Sequence, residues 1–114
     1  MLAQNRRLRK SRDIESVYKK GRFGGAKDLT VKALLAHRPL TRATVVVAKK
    51  ISKKAVVRNK IRRRSMEILA ANWQTLTPGC DIVVTIRSDV AELAGAELQR
   101  QLLEALKRAG AMSK

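Results

Sequence analysis

Nine of the sixteen residues from Lys49 to Arg64 are Lys or Arg, and none is acidic. The run is not low in complexity, because Ile51, Ala55, Val56, Val57 and Ile61 are threaded through the charges. From about Lys53 to Leu76 no Gly or Pro interrupts, and the spacing predicts one helix. Val57, Ile61, Ile68 and Asn72 recur at helical steps and form a stripe that can be buried. Arg58 and Arg62 lie one turn apart on a neighbouring stripe, and Lys60, Arg63 and Arg64 widen that basic face. Asn59 is the uncharged polar group in its middle. Like charges at this spacing repel, and only Glu67 stands one turn from Arg63. Such a helix is better explained by a polyanionic partner than by solvation alone.

Other chemistry is hard to find. His37 is the single histidine and lies in a predicted turn beside Arg38, where a surface role is the plain reading. Asp13, Asp28, Asp81 and Asp89 are scattered, with no spacing that pairs carboxylates on one element. Gly24-Gly25 lacks the Lys-Ser or Lys-Thr that a phosphate loop needs. With one cysteine, Cys80, and one histidine, no metal-ligand cluster is visible. A nuclease reaction run by this chain alone has no evident means in the sequence. Tyr18 and Phe23 read first as core residues. Their alternative is a stacking platform, where an unpaired base on a ring contributes ~1–3 kcal/mol. Trp73 is far from the charges and reads as core or helix-end packing.

The chain that must position these residues has 114 of them and a formal charge of +17. That length suits a single domain over residues 1–114, with a basic amino-terminal arm of about 1–10. Residues 1–64 carry a net +18 and residues 65–114 a net −1, so the electrostatic footprint belongs to one half. This is the pattern of one face meeting nucleic acid. The apolar fraction is 45% but aromatics are only 3%, so the core must be Val, Ile, Leu and Ala. No apolar run approaches the ~18 residues of a membrane span, and no secretory h-region is seen. A lone cysteine excludes an internal disulfide and suits a reducing, cytoplasmic setting.

In order, Ser11 or Asp13 can cap a short helix whose face is Ile14, Val17 and Tyr18, stopped by Gly21. Leu29, Val31, Ala33 and Leu35 alternate as a strand over 29–36, with a possible extra strand near Phe23. Thr44 to Val47 and Asp81 to Arg87 are β-branched and read as buried strands. Leu98, Leu102, Leu103 and Leu106 mark a final helix over 93–109, closed by Gly110. The expected architecture is α+β, an α/β sandwich of helices on a small sheet.

Ala55-Val56-Val57-Arg58-Asn59-Lys60-Ile61-Arg62-Arg63, entered through Val47-Ala48-Lys49-Lys50, resembles the signature helix of the bacterial ribonuclease P protein family. The likeness extends through Arg7-Leu8, Ser11, Val17, Tyr18 and Gly21, through Arg42 to Lys50, and through Asp81 to Val84 and the leucines of the last helix. It implies a two-layer α/β sandwich with a small mixed sheet, three helices and a left-handed βαβ crossover, although ~98% of such crossovers are right-handed. It implies the protein subunit of a ribonucleoprotein that removes 5′ leaders from precursor tRNA. The partners would be the catalytic RNA subunit, which uses Mg²⁺, and precursor tRNA, with no protein partner and no metal held tightly by the protein. The resemblance assigns Lys49, Lys50, Lys53, Lys54, Arg58, Asn59, Lys60, Arg62 and Arg63 to the RNA subunit. It assigns Arg7, Ile14, Val17, Tyr18 and Lys49 to a cleft for the leader. Ile14 stands where the family usually has Phe, which leaves Tyr18 as the principal stacking ring. Met66 stands where an Arg usually precedes Glu67, and Lys60 replaces an Arg. The rival readings are a small basic ribosomal or other structural RNA-binding protein, a DNA-binding architectural protein and a self-sufficient nuclease.

Overall fold

The computed structural model describes residues 6–36 and 39–112. His37, Arg38 and the first five residues of the basic arm lie outside them. Eight elements follow one another: α1 (Ser11–Lys20), β1 (Arg22–Gly25), β2 (Leu29–Leu35), β3 (Arg42–Val46), α2 (Ala55–Ala71), a 3-10 turn (Trp73–Thr75), β4 (Cys80–Ile86) and α3 (Gly95–Arg108). The strands form one mixed sheet in the order β1-β2-β4-β3. β2 pairs antiparallel with both β1 and β4, while β3 pairs parallel with β4. A parallel pair needs a crossover, and α2 supplies it.

Alternation along the strands sorts the apolar residues onto two faces. Leu29, Val31 and Ala33 of β2, Ala43 and Val45 of β3, and Ile82, Val84 and Ile86 of β4 share the main core with α2 and α3. That face and its two helices form the sandwich. The other face of β4 carries Val83, which packs with Leu8 and Val17 in a separate small cluster flanked by Ile14, Leu34 and Val46. α1 therefore lies across the opposite side of the sheet.

β1 contains two glycines and has little intrinsic preference to be a strand. Packing decides it instead. A Cβ on Gly24 would come within 2.1 Å of the Ala105 carbonyl oxygen, so only glycine lets β1 lie directly on α3. The turn that follows is pinned by the buried Gln101. Its Oε1 accepts from the Asp28 amide and its Nε2 donates to Asp28 Oδ2, each at 2.8 Å.

Neither Ser11 nor Asp13 caps α1. Lys10 occupies the cap position without a side-chain bond, and Asp13 faces Arg42 at 3.5 Å. α2 is shorter than its composition suggests and stops at Ala71. Asn72 turns its side-chain amide back onto the Ile68 carbonyl at 2.8 Å, a local bond of the kind that ends helices. Trp73 then sits partly buried at the helix end, with Arg6 over its ring at 5.6 Å. Cys80 is buried at the start of β4. Burial, and then the charge of Asp81, push its thiol up to about 11.

Candidate nucleic-acid interface

α2 is anchored on one edge only. Ile61, Ser65 and Leu69 are fully buried at steps of four, with Val57, Met66 and Ile68 packed beside them. Truncating Ile61 or Leu69 to Ala would cost about 2–5 kcal/mol, so the orientation of the helix is firmly set. The basic residues are left on the outer side. Lys49, Lys50, Lys53, Lys54, Asn59 and Arg63 are exposed, and Arg58, Lys60 and Arg62 are half-exposed. Val56 is 80% exposed and belongs to this outer side rather than to the buried stripe.

Three of the cations are held in place by neighbours. Arg58 Nη1 donates to the Ser52 carbonyl at 2.9 Å, across the entry to the helix. Arg62 Nη2 donates to Asn59 Oδ1 at 3.1 Å. Lys60 pairs with Glu92, whose carboxyl is thereby held below the usual carboxylate range. Lys49, Lys50, Lys53, Lys54 and Arg63 have no side-chain partner among the described residues. The first turn of α2 also contains no acidic residue, so the positive end of the helix dipole adds to the excess. A polyphosphate is the ligand such a surface takes best.

Arg64 does not belong to this face. Its Nη1 donates to the carbonyls of Val90 and Ala91, each at 2.8 Å, and its Nη2 donates to that of Leu93. The guanidinium therefore ties α2 to the loop before α3. Helical spacing alone puts it beside Arg63, and nothing in the spacing shows the carbonyls waiting for it.

The second surface is on the α1 side of the sheet. Paired residues share a face, so the registers define rows across it. Leu34, Asp81 and Arg42 form one row, Phe23, Lys32, Val83 and Thr44 the next, and Gly25, Thr30, Thr85 and Val46 the last. α1 lies over the first two. Its start is held where Asp13 meets Arg42, itself bound to Asp81 through Nε at 2.9 Å and Nη2 at 2.8 Å. Its end is at Gly21, whose Cβ position lies 3.2 Å from the Ala33 carbonyl oxygen. The last row is left uncovered, and all four of its residues are partly exposed.

Tyr18 reaches down to that row. Its hydroxyl is 3.2 Å from Thr85 Oγ1, and Lys32 Nζ donates to its carbonyl at 2.8 Å. Tyr18 is 38% exposed and Phe23 is 60% exposed, so neither is a core residue. As the single Tyr and the single Phe of the chain they invite the core reading, but α1 and β1 hold both at the open side. Val17 takes the opposite correction. It is fully buried against Leu8 and Val83, so it lies beneath this surface and cannot itself meet a ligand. Ile14 is half-buried beside it.

Arg7 lies beside Ala43 in a parallel bridge, and the Leu8 amide donates to the Ala43 carbonyl. The described part of the arm therefore runs along the outer edge of β3. Lys49 follows Val46 by three residues and stands at the opposite end of that strand. Thr30, Lys32, Val46 and Thr85 join the surface unannounced by the sequence. Alternation shows that they share a face, but not which face α1 leaves open. Among the described residues no group of three His, Cys, Asp or Glu side chains could hold a metal ion, and no helix is long and apolar enough to cross a membrane.

A family model described as Ribonuclease P matches residues 2–110. The chain is 37% identical over 107 residues to a ribonuclease P protein component of Roseiflexus sp. (strain RS-1), covering 93% of this chain and 87% of that one. It is 32% identical over 109 residues to that of Geobacillus thermodenitrificans (strain NG80-2), covering 95% and 89%. The fold superposes on a Staphylococcus aureus RNase P protein, a mutant with defective mRNA degradation activity, with a TM-score of 0.86. There the identity is 26%, over 96% of this chain and 92% of that one. The Thermotoga maritima RNase P protein gives a TM-score of 0.80 at 30% identity, over 90% and 96%. On sequence, fold and extent of match alike, the chain belongs to the ribonuclease P protein family.

Proposed function

We propose that the chain serves ribonuclease P as an RNA-binding subunit that supplies no catalytic group of its own. Family membership makes it a component of the enzyme that matures the 5′ end of tRNA. In this reading the outer face of α2 binds the RNA subunit, and the uncovered row beside Tyr18 takes the unpaired leader of precursor tRNA. Mg²⁺ belongs to the RNA subunit, where the bond is cut.

The observation that carries the reading is that two surfaces suited to nucleic acid meet at one connection. Lys49 and Lys50 lie between Val46, at the end of the open row, and Ala55, where α2 begins. A strand of RNA on the row and a folded RNA on the helix would thus be neighbours. The cations draw phosphate, and Tyr18 offers a ring to an unstacked base.

Two measurements test this. Purified protein with Mg²⁺ and precursor tRNA, but without the RNA subunit, should release no leader; specific release would overturn the assignment of roles. In the assembled enzyme, Tyr18→Ala should weaken precursor tRNA by about 1–3 kcal/mol and leave mature tRNA unchanged. Equal loss for both, with a lowered melting temperature, would make Tyr18 a structural residue.

A further inference from the structure

Phe23 is the most exposed aromatic residue described, and the structure gives its ring a definite seat. A Cβ built on Gly25 would lie 3.2 Å from Phe23 Cε2 and 3.3 Å from Cζ. The ring therefore leans along β1 and covers Gly25, two residues on and on the same face. Gly25 begins the uncovered row that runs through Thr30 to Thr85, and the Tyr18 hydroxyl stands on Thr85. The two rings thus occupy one row, two strand spacings or ~10 Å apart. Between those two seats the row holds only Thr30, and Lys32 of the neighbouring row reaches from beside Phe23 to the Tyr18 carbonyl.

We propose that Phe23 is a second stacking platform, taking a further unpaired nucleotide of the same strand that passes Tyr18. The proposal rests on the leader reading above and extends it to the β1 edge. An anionic occupant is favoured by the surroundings. Lys32 is in register with Phe23, and Lys27 and Lys20 are exposed nearby in the chain. A second copy of a chain carrying +17 would bring repulsion to the same edge, and Arg108 already fills the Gly25 carbonyl, donating from Nη1 at 2.8 Å. Phe23 would lengthen the stretch of leader that the protein senses.

The test uses the assembled enzyme and a series of precursor tRNAs whose leaders grow one nucleotide at a time, with mature tRNA as control. Wild type should gain affinity in two steps as the leader first reaches Tyr18 and then Phe23. Phe23→Ala should lose the second step alone, roughly 5- to 150-fold in Kd, while Tyr18→Ala loses the first. Phe23→Trp should keep the second step and Phe23→Leu should not. If Phe23→Ala follows the wild-type series while Tyr18→Ala does not, this inference fails and the leader reading stands. If leader length has no effect on any of these proteins, both fail. If Phe23→Leu retains wild-type affinity throughout, the ring merely covers Gly25 and the inference fails. A dimer of the free protein that Phe23→Ala dissolves would assign the ring to a second copy and overturn it as well.

Discussion

Asn59 Oδ1 accepts a hydrogen bond from Arg62 Nη2 at 3.1 Å, one turn further along α2. An uncharged side chain in the centre of a basic face thus holds a charged one in position. Asn59→Ala should weaken RNA-subunit binding by about 1 kcal/mol, roughly five-fold. The number of cations is unchanged, so the slope of log affinity against log salt should stay as it was. Arg62→Ala should lower that slope by about 0.7–0.9. In the double variant the loss from Asn59→Ala should vanish. A loss that persists undiminished would mean that Asn59 touches RNA directly.

The pairing of Arg42 with Asp81 carries a second prediction. Asp81 is buried and bidentate, and its hydrogen bonds raise the guanidinium's pKa above the ordinary value. Asp81→Ala leaves a mostly buried cation with only a longer contact to Asp13. The expected cost is about 3 kcal/mol, on the order of 10 °C in melting temperature. Arg42→Lys should not substitute for the original, because an ammonium cannot bind both carboxylate oxygens in one plane. A change in melting temperature of a degree or less for Asp81→Ala would show that α1 is held by other means.

Ser65 leads to the opposite sign. It is fully buried between Ile61 and Leu69, and its Oγ is the buried side-chain polar atom without a hydrogen-bond partner among the described residues. A hydroxyl taken out of water without compensation is unfavourable. Ser65→Ala should therefore stabilise the protein by about 1 kcal/mol, read as a higher urea midpoint at constant m. Destabilisation would mean that the hydroxyl bonds a helix carbonyl in solution.

A pH dependence belongs to α3. Glu97 accepts from Arg100 through Nε at 2.9 Å and Nη2 at 2.7 Å, and from Gln101 Nε2 at 3.0 Å. Arg100 first, and then Gln101, hold its carboxyl down to about 2. The unfolded value is ~4.3, so the stabilisation is complete above that pH and is lost as pH falls toward about 2. The group is exposed, so high salt should shrink the effect. Carbon-detected titration should find a Glu97 midpoint near 2, moving upward in Arg100→Ala. An ordinary midpoint in the parent protein would show that the pair is absent in solution.

Much of this was legible in the chain. The β-branched run at 81–86 is a strand buried on both sides, as its residues suit, whereas the run at 44–47 belongs to the edge strand Arg42–Val46, which is buried on one face only. The basic helix follows from its uninterrupted composition, and its buried edge from the spacing of Val57, Ile61 and Ile68. What escaped depends on facing. Val17 and Tyr18 are adjacent, yet one is fully buried and the other more than a third exposed. Periodicity shows that they point apart but not which row of the sheet α1 leaves bare. Arg64 differs from Arg63 only through carbonyls 26 to 29 residues away. The possible strand near Phe23 is β1 (Arg22–Gly25), but nothing in its four residues shows that Gly24 lets it lie directly on α3.

The burial of Cys80 has a practical consequence. It is the single cysteine of the chain, it lies 3% exposed at the head of β4, and its thiol is held mostly protonated well above neutral pH. A disulfide reagent attacks the thiolate, so the folded protein should react far more slowly than a free thiol. Each labelling event then reports an opening that exposes the head of β4, where Cys80 pairs with Leu35. Labelling rates with and without the RNA subunit would measure, on the unmodified chain, how strongly that RNA quiets the opening of the sheet.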